Sequence, residues 1–331
     1  MALKRITSNY EIVGYSEIDK HAIHSYHAIH GDVKAYGDIT KMKEIPPCDI
    51  FTYSFPCSDL SKAGKQKGMT KDTRSGLVYE VLRLVRDTKD KPKVLIMENV
   101  PDLIQANFVR QFGKIQLELE RMGYMNYVDT LNAKDFGVAQ NRDRVFMVSV
   151  LGEYSYSFPR YVKLEKRLKD YLEDEVDEKY YLSDKQLEQI SNWNAQQNPL
   201  ENAKNVDDET VQCITAKSNT SMNSSMLLIK EKTDETICLN SKVNGKQPSL
   251  QDRIYDIDGV STAYMPSIAT NNLRIRKLTP REVWRLMGIS DEDFNKAQAS
   301  GVSNSQLYKQ AGNAIVVDVF EAILNQIIER K

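Results

Sequence analysis

The segment DIFTYSFPCS, residues 49–58, joins a strand-like apolar run to a cysteine. The run Asp49–Phe55 is rich in aromatic and apolar residues, a composition that favours a strand. Cys57 follows directly after Pro56, and the strands of parallel α/β sheets hold ligands at their carboxyl ends. The thiol is therefore a candidate functional group. Taken alone, the segment fits rather better a buried structural cysteine followed by a solvated surface loop.

Further strand-like runs alternate with amphipathic stretches on both sides of this segment. The predicted strands are Glu11–Ser16, Lys93–Met97, Tyr127–Leu131 and Val145–Val150. Apolar residues at helical spacing predict helices over Leu77–Val85 and Val109–Met122 and a closing helix over Val316–Ile327. This alternation indicates an α/β fold with a mainly parallel sheet, onto which the closing helix is expected to pack.

Composition excludes several classes of protein. The 331 residues are 41% hydrophobic and 27% charged, as in an ordinary globular protein of about two domains. The 45 basic and 46 acidic residues nearly cancel, so net charge gives no indication of a nucleic-acid partner. The longest apolar runs, such as Val94–Met97, are too short to cross a membrane, and the first residues lack the apolar core of a secretory signal. We expect a cytoplasmic protein without membrane contact.

The cysteine and histidine patterns argue against a metal site. The four cysteines include no Cys-x-x-Cys pair, which makes a disulfide framework and a structural zinc site improbable. His21, His24, His27 and His30 recur at regular spacing. On a helix such positions drift around the surface and cannot all face one ion. We expect a solvated helix face there and no bound metal.

A carboxylate follows the next predicted strand. Glu98 comes directly after Lys93–Met97, so two neighbouring parallel strands would bring it to the same sheet edge as Cys57. A thiol nucleophile beside a carboxylic acid fits addition to an electron-poor ring that is protonated as it is attacked. The alternative is a charge at a helix start or in a solvated loop.

Two basic features surround these residues. The glycine-containing loop after Cys57 is suited to phosphate contacts, and its candidate DNA-binding residues are Ser58, Lys62, Lys65 and Lys67. In QNRDR, residues 140–144, Arg142 and Arg144 project to the same face of an extended segment. Their guanidinium groups could hold a base oxygen or a phosphate, although an ordinary polar strand entrance is the better interpretation of an isolated pair.

The order of these motifs resembles that of the bacterial and phage DNA cytosine-5 methyltransferases. The matching motifs are PCS (56–58), ENV (98–100), QNRDR (140–144), RKLTPRE (276–282) and GNAIVV (312–317). The resemblance implies a Rossmann-like S-adenosylmethionine-dependent methyltransferase domain. Residues 1–170 and 306–331 would form that catalytic domain, and residues 171–305 would form a smaller, loop-rich target-recognition domain with its hinge. Short β-like pieces at Val211–Thr215, Met226–Ile229 and Ile237–Leu239 fall within the smaller domain.

The resemblance also implies a role for each candidate catalytic residue. Cys57 would attack C6 of a cytosine in duplex DNA, and Glu98 would bind and protonate N3. Arg144 would steady the base, with Arg142 as its neighbour. The C5 atom would then take the methyl group of S-adenosylmethionine. The cytosine must leave the base stack for this chemistry.

The resemblance also implies which residues would bind the cofactor. Glu17 resembles the acidic ligand of the ribose hydroxyls, and Asp38 resembles the residue that accepts a hydrogen bond from the adenine amino group. The complete set that the resemblance implies is Glu17, Ile18, Asp38, Ile39, Pro56, Leu77, Asn313 and Ala314.

One family motif is missing from the sequence. The family opens with a strand and a Phe-x-Gly-x-Gly turn ahead of the acidic ribose ligand, and no such turn precedes Glu17. Residues 2–10 instead resemble the helix that follows the turn. The true start could lie upstream, a second polypeptide could complete the cofactor site, or the chain could be a catalytically impaired DNA-binding protein or subunit. An RNA cytosine methyltransferase on the same catalytic domain is a further alternative, although the long insert favours DNA.

Overall fold

The computed structural model describes residues 1–56, 60, 69, 73–192, 199–200, 203–220, 222, 226–232 and 273–328. Five predicted site residues and one predicted strand lie outside that part of the chain: Cys57, Ser58, Lys62, Lys65, Lys67 and the strand Ile237–Leu239.

The described residues form helices and strands in alternation. The strands are β1 (Ile50–Tyr53), β2 (Val94–Asn99), β3 (Tyr124–Asn132), β4 (Gln140–Asn141), β5 (Asp143–Leu151), β6 (Lys204–Asn205), β7 (Val211–Gln212), β8 (Leu228–Lys232) and β9 (Leu273–Lys277). The α-helices are α1 (Ala2–Ile6), α2 (Lys20–His30), α3 (Val78–Asp87), α4 (Val109–Arg121), α5 (Asp184–Ser191), α6 (Pro280–Arg285), α7 (Asp291–Ala299), α8 (Asn304–Asn313) and α9 (Val317–Ile328).

The main sheet has the strand order β1-β2-β5-β3. β1 pairs with β2 in parallel, whereas β5 runs antiparallel to both β2 and β3. Three of its strands thus share one direction, but the expectation of a mainly parallel sheet needs correction, because two of the three strand pairs are antiparallel. The reason lies in the short connection between β3 and β5, which suits an antiparallel neighbour, since a parallel pair needs a longer crossover.

Four predicted strands are confirmed as β1, β2, β3 and β5, with ends that differ by a few residues. The predicted strand Glu11–Ser16 is wrong. In that segment only Tyr15 makes a β-bridge, in parallel with Ala35. Its apolar alternation has no described neighbouring strand to pair with along its length, and pairing rather than pattern defines a strand.

Helices cover both faces of the sheet. On one face Ile96 and Val148 pack in a core that includes Val319 and Ile323 of α9. On the other face the sheet contributes a second core, with residues of α3 and α4: Leu95, Met97, Met147, Val81, Val85 and Ile115. Adjacent residues of β2 therefore point to opposite cores, as the pleat requires. Each fully buried side chain of this kind contributes about 1.5–3 kcal/mol to stability. The predicted packing of the closing helix on the sheet is confirmed.

The stretch Asn304–Ile328 is long and apolar enough to cross a membrane by length and composition. In the structure it is divided into α8 and α9, and both helices contribute to the core beside the sheet: Leu307, Tyr308, Ala311, Val319, Ile323 and Leu324. The apolar character of this stretch is therefore used in packing against the rest of the protein.

The amino-terminal helices are fastened to the carboxyl-terminal ones by ion pairs. Arg5 pairs with Asp318 at 3.2 Å and with Glu321 at 2.9 Å, which ties α1 to α9. Asp19, which caps α2, pairs with Lys309 of α8 at 2.7 Å. Residues 1–30 are thus bound to α8 and α9, the helices that pack beside the sheet.

Gly288 provides a test of the contact between α1 and α9. Its φ is +74°, and a Cβ built there would lie 1.9 Å from Oδ2 of Asp318, the carboxylate that Arg5 holds. Gly301 has a similar φ of +85° but nothing within 4 Å of a built Cβ. We expect Gly301→Ala to lower the free energy of unfolding by about 1 kcal/mol from backbone strain alone. Gly288→Ala should cost at least ~1 kcal/mol more, because the Arg5 pair must shift as well.

Chemical denaturation of both variants and the parent measures this difference. Equal losses for Gly288→Ala and Gly301→Ala would contradict the packing of α1 against α9.

Candidate active site

Glu98 lies at the carboxyl end of β2 and is almost completely buried. β1 and β2 are parallel, with Tyr53 opposite Met97, so the residue after β1 reaches the residue after Met97. Accordingly Ser54 Oγ donates to Oε2 of Glu98 at 3.3 Å. Nε of Arg144, which belongs to β5, lies 3.0 Å from the other carboxylate oxygen. The structure thus brings the predicted residues Glu98 and Arg144 into direct contact.

Burial and charge act on the Glu98 carboxyl in opposite directions. Removal from water raises its pKa, while Arg144, Arg142 and the Ser54 hydroxyl lower it, and burial has the larger effect. The pKa of Glu98 therefore lies above the ordinary value of a glutamate. Such a carboxyl keeps its proton to a higher pH and can supply it to a neighbouring group.

The chain that leads to Cys57 is fixed from two sides. Asn99 is buried, and its Nδ2 donates to the carbonyl oxygen of Phe55 at 3.1 Å. Ser75 Oγ donates to the carbonyl oxygen of Pro56. Both bonds hold backbone at the edge of the sheet beside Glu98. The last described residue before Cys57 is thus anchored, although the thiol itself lies outside the described residues.

Arg144 faces Glu98, whereas Arg142 is bound to backbone. The Nη2 atom of Arg142 donates to the carbonyl oxygens of Gly312 and Ala314 at 3.0 and 2.9 Å, and Nη1 donates to that of Ile214. Its side chain is buried with these carbonyls. The two arginines that the spacing placed together therefore have different surroundings. Only Arg144 pairs with the candidate acid.

Glu98 and both arginines line a common pocket. Its remaining walls are apolar and come from β3 and the residue after it, from β5, and from α9 and the residues just before it: Leu131, Ala133, Phe146, Ile315, Val316 and Val319. Apolar walls lower the local dielectric and strengthen each charge interaction within them. Glu98 and Arg144 therefore interact in largely apolar surroundings.

The two predicted carboxylate ligands of the cofactor lie on adjacent segments. Ser16 Oγ donates to the carbonyl oxygen of Gly37 at 2.7 Å, which joins the segment before Glu17 to the segment before Asp38. Glu17 Oε1 accepts from the backbone N–H groups of residues 18 and 19. Ile18 between them is 72% exposed, which is unusual for an isoleucine and leaves an apolar surface open to a ligand.

Asp38 caps a 3₁₀ turn. Its carboxylate accepts from the backbone N–H and the hydroxyl of Thr40, and these bonds hold its pKa below the ordinary value. The turn, which includes Ile39, lies against α3, because Arg83 donates to the carbonyl oxygen of Met42 at 2.9 Å. Leu77 ends the 3₁₀ turn before α3, and Asn313 ends α8 just before Ala314.

Sequence reasoning missed Gln140. This residue is completely buried; its Nε2 donates to the carbonyl oxygen of Leu286 at 2.7 Å, and its Oε1 accepts from the N–H of Ile214 at 3.0 Å. Its position two residues before Arg142 was the available signal, because residues two apart in an extended segment share a face.

The motif RKLTPRE forms a buried ion-pair network. Arg276 is fully buried and binds Glu282 through two bonds of 2.8 and 2.9 Å, while its Nε binds Glu231. Arg276 lies on β9, Glu282 on α6 and Glu231 on β8. The network therefore joins the small sheet β6-β8-β9 to the helices that pack on the main core.

Groups of three or more histidine, cysteine, aspartate or glutamate side chains that could bind a metal are absent from the described part of the chain. The prediction that no metal is bound stays a prediction.

Comparison with known proteins gives a family and several relatives. The profile of the family described as C-5 cytosine-specific DNA methylase matches residues 1–329. The type II methyltransferase M2.ScrFI of Lactococcus lactis subsp. cremoris is 35% identical over 303 residues, which cover 89% of this chain and 71% of that protein. The orphan methyltransferase M.SPBetaI of Bacillus phage SPbeta is 30% identical, and the match covers 99% of this chain and 94% of that protein.

Solved structures show the same fold. The Dnmt2 methyltransferase of S. pombe superposes with a TM-score of 0.70 at 19% identity, and the match covers 99% of this chain and 94% of that one. The Entamoeba histolytica methyltransferase EhMeth gives 0.71 at 18% identity, with 99% and 93% covered. The Rossmann-like α/β fold expected from the sequence is thus confirmed.

The contact between Arg144 and Glu98 yields a measurable shift. Arg144→Met removes the largest influence that opposes burial, so the pKa of Glu98 should rise further above its ordinary value. Arg144→Lys keeps a positive charge and should produce a smaller rise. Carboxyl carbon chemical shifts of Glu98, followed against pH, give both values. An unchanged titration in Arg144→Met would show that the two groups do not interact in solution.

Proposed function

The chain belongs to the family of C-5 cytosine-specific DNA methylases, and we propose that it transfers a methyl group from S-adenosylmethionine to C5 of a cytosine flipped out of duplex DNA, through a covalent adduct at Cys57. The observation that carries this proposal is the buried Glu98 carboxyl of raised pKa, paired with Arg144 at the sheet edge where the Pro56 segment ends. That edge is the place where a nucleophile and an acid can act on one ring.

In this reaction a bond between Cys57 and C6 is formed and later broken, and protons move at N3 and at C5 of the cytosine. The Cys57 thiolate forms a bond to C6, and the ring electrons shift as Glu98 delivers its proton to N3. C5 then carries the electron pair that accepts the methyl group. Transfer of the C5 proton to a water molecule leaves the electron pair that expels Cys57 from C6 as a thiolate, and the N3 proton returns to Glu98.

Arg144 has a second task in this scheme. Its Nη1 donates to the carbonyl oxygen of Asp143 at 2.7 Å and its Nε holds Glu98, so its guanidinium is oriented before substrate enters. A group fixed in this way stabilises charge that develops on a bound base without reorganising during the step. Arg144 also keeps the protonated Glu98 carboxyl directed into the pocket.

The residues present fit S-adenosylmethionine as donor. Glu17 and Asp38 offer carboxylate oxygens on adjacent segments, suited to hydroxyl and amino donors, and the exposed Ile18 offers an apolar surface to an adenine ring. Ile39, Pro56, Leu77, Asn313 and Ala314 would complete the surroundings. When bound, the sulfonium of S-adenosylmethionine supplies an electrophilic methyl group.

Duplex DNA is the proposed partner of the recognition region. We assign phosphate contacts to Ser58, Lys62, Lys65 and Lys67, and base contacts in the major groove to residues 171–305. These domain boundaries and contacts are proposals. The relatives are of bacterial and phage origin, and we propose a cytoplasmic location for this chain.

The nucleophile is tested by transfer of labelled methyl groups to unmethylated duplex DNA. Cys57→Ala should abolish transfer, because the C6 adduct cannot form, and should retain DNA binding in a gel-shift measurement. Cys57→Ser provides a matched control with a far weaker nucleophile of similar size. Transfer at the parental rate by Cys57→Ala would refute the assignment.

The same assay tests the proton donor through its pH dependence. Because the pKa of Glu98 is raised, its protonated form persists above the ordinary glutamate range, and kcat should fall as pH rises through that raised value. Glu98→Gln cannot deliver a proton, so kcat should drop by about 10²–10⁴ and lose this limb of the profile.

The cofactor site has an open side. Among the described residues, the outer edge of β1 has no strand partner, and the adjacent segment contributes only the bridge between Tyr15 and Ala35. Unpaired edges of parallel sheets are rare because both the backbone and the flanking apolar surface remain exposed. We propose that a strand with a Phe-x-Gly-x-Gly turn, from residues outside these 331, completes the site.

Calorimetry of S-adenosylmethionine binding tests this completion. The chain alone should bind weakly, and a peptide with an apolar strand followed by Phe-x-Gly-x-Gly should lower the Kd at least tenfold. The same peptide with alanine in place of both glycines serves as control, because the turn requires glycine. Tight binding by the chain alone, unaffected by the peptide, would show that the site is complete without it.

A further inference from the structure

A buried cluster joins three distant segments of the chain. We call it the Arg142 clamp and define it by Gln140, Arg142, Ile214, Gly312 and Ala314. Arg142 donates to the carbonyl oxygens of the last three residues. Only 3% of its surface is exposed, so these carbonyls rather than water bind its Nη1 and Nη2 atoms, whereas its buried Nε has no hydrogen-bond partner among the described residues.

Gln140 binds the same residue of the recognition region, Ile214, as Arg142 does. Its Oε1 accepts from the N–H of Ile214, whose carbonyl oxygen accepts from Arg142. Both polar backbone groups of Ile214 are therefore bound by side chains of QNRDR. The pairing of β4 with β7, Gln140 opposite Val211, sets the register that brings Ile214 into place.

Gly312 provides an independent observation of close contact. A Cβ built on it would lie 2.1 Å from the backbone nitrogen of Ala216 and 2.1 Å from the carbonyl carbon of Thr215. Both neighbours are backbone atoms, which cannot rotate away as a side chain could. The segment Gly312–Ala314 and the segment Ile214–Ala216 thus touch along their main chains, and a side chain at position 312 would separate them.

Loss of one of the two bound segments would destabilise the buried Arg142 side chain. A buried cation that loses its acceptors is destabilised more strongly than a neutral group that loses one hydrogen bond. Burial and, after it, the positive charge of Arg144 lower the pKa of Arg142, and the opposing influence of Cys213 and Glu98 is smaller. If either segment moves away, Arg142 is left underbonded, so the two segments are held together or released together.

We propose that Arg142 is a positioning residue that fixes the segment Ile214–Ala216 of the recognition region to the segment Gly312–Ala314, so that displacement of one displaces the other. The inference rests on the proposed function, in which Gly312–Ala314 borders the cofactor and residues 171–305 contact DNA. Any state in which bound DNA holds Ile214–Ala216 in place then favours cofactor binding, and by linkage the cofactor favours DNA binding to the same extent.

Amide hydrogen exchange tests the clamp without requiring activity. In Arg142→Met, exchange in peptides covering 211–218 and 311–317 should accelerate together, by at least about tenfold. Arg83→Met is the matched control, because Arg83 likewise donates to a backbone carbonyl, that of Met42, but joins other segments. It should leave both peptides unchanged. Acceleration in one peptide alone, or in neither, would overturn the proposal.

Binding measurements then separate a positioning role from a merely structural one. In Arg142→Met the Kd for S-adenosylmethionine and the Kd for duplex DNA should both rise about tenfold or more, and the mutual enhancement of the two ligands should disappear. Arg142→Lys, which keeps the charge but reaches fewer carbonyls, covers the case in which Arg142→Met does not fold. Normal affinities and undiminished enhancement in a folded Arg142 variant would overturn the positioning role.

Gly312→Ala reaches the clamp from the other segment. It should accelerate exchange in the 211–218 peptide, although position 312 lies outside that peptide. If exchange in both peptides accelerates together in these variants but the parent chain fails to methylate DNA, the proposed function fails and the clamp stands.

Discussion

The structure of the site depends on a carboxyl group that must be buried and yet remain able to carry a proton. Glu98 meets this demand because β2 is covered on both faces by helices, and because β5 delivers Arg144 to its open end. Burial alone would leave a charge without a partner, and the arginine alone would keep the carboxyl ionised. The balance of the two raises the pKa of Glu98 while holding its orientation.

The antiparallel course of β5 is therefore part of the site. In the register of β2 with β5, Asn99 lies opposite Val145, which places Arg144 just beyond the end of β2, beside Glu98. A slip of one residue would turn Arg144 to the other face of the sheet. The departure from a purely parallel sheet thus has a chemical consequence, since it supplies a cation at an edge where β1 and β2 supply a hydroxyl and a carboxyl.

The segment that precedes β5 serves two purposes at once. Arg144 faces the Glu98 carboxyl, whereas Gln140 and Arg142 bind Ile214, and Arg142 also binds the segment Gly312–Ala314. A shift of this segment would change the acid and the clamp together. Precise placement of a base relative to Glu98 and of DNA relative to the recognition region would then depend on the same few residues of backbone.

The sequence predicts the local features of this arrangement and not the long-range ones. Short buried strands and amphipathic helices are recognisable from apolar spacing, and the end of β2 identifies Glu98 as a group at the sheet edge. Its contact with Arg144 depends on the antiparallel pairing of β5 with β2, which the sequence pattern did not predict. The separate role of Arg142 is not recognisable in that way, because its partners Ile214 and Gly312 are far away in the chain and side-chain spacing carries no information on them. The Glu11–Ser16 segment shows the converse failure, since a strand-like pattern without a neighbour along its length yields one bridge at Tyr15.

Side-chain contacts hold the segments near the open side of the sheet in place. The segments carrying Glu17 and Asp38 are fastened to the frame by contacts that involve no strand: Asp19 binds Lys309 of α8, and Arg83 of α3 binds the carbonyl oxygen of Met42. The proposed strand would therefore add to β1 in a domain whose cofactor-side segments are already bound to α8 and α3. Its docking would then cost chiefly its own conformational freedom.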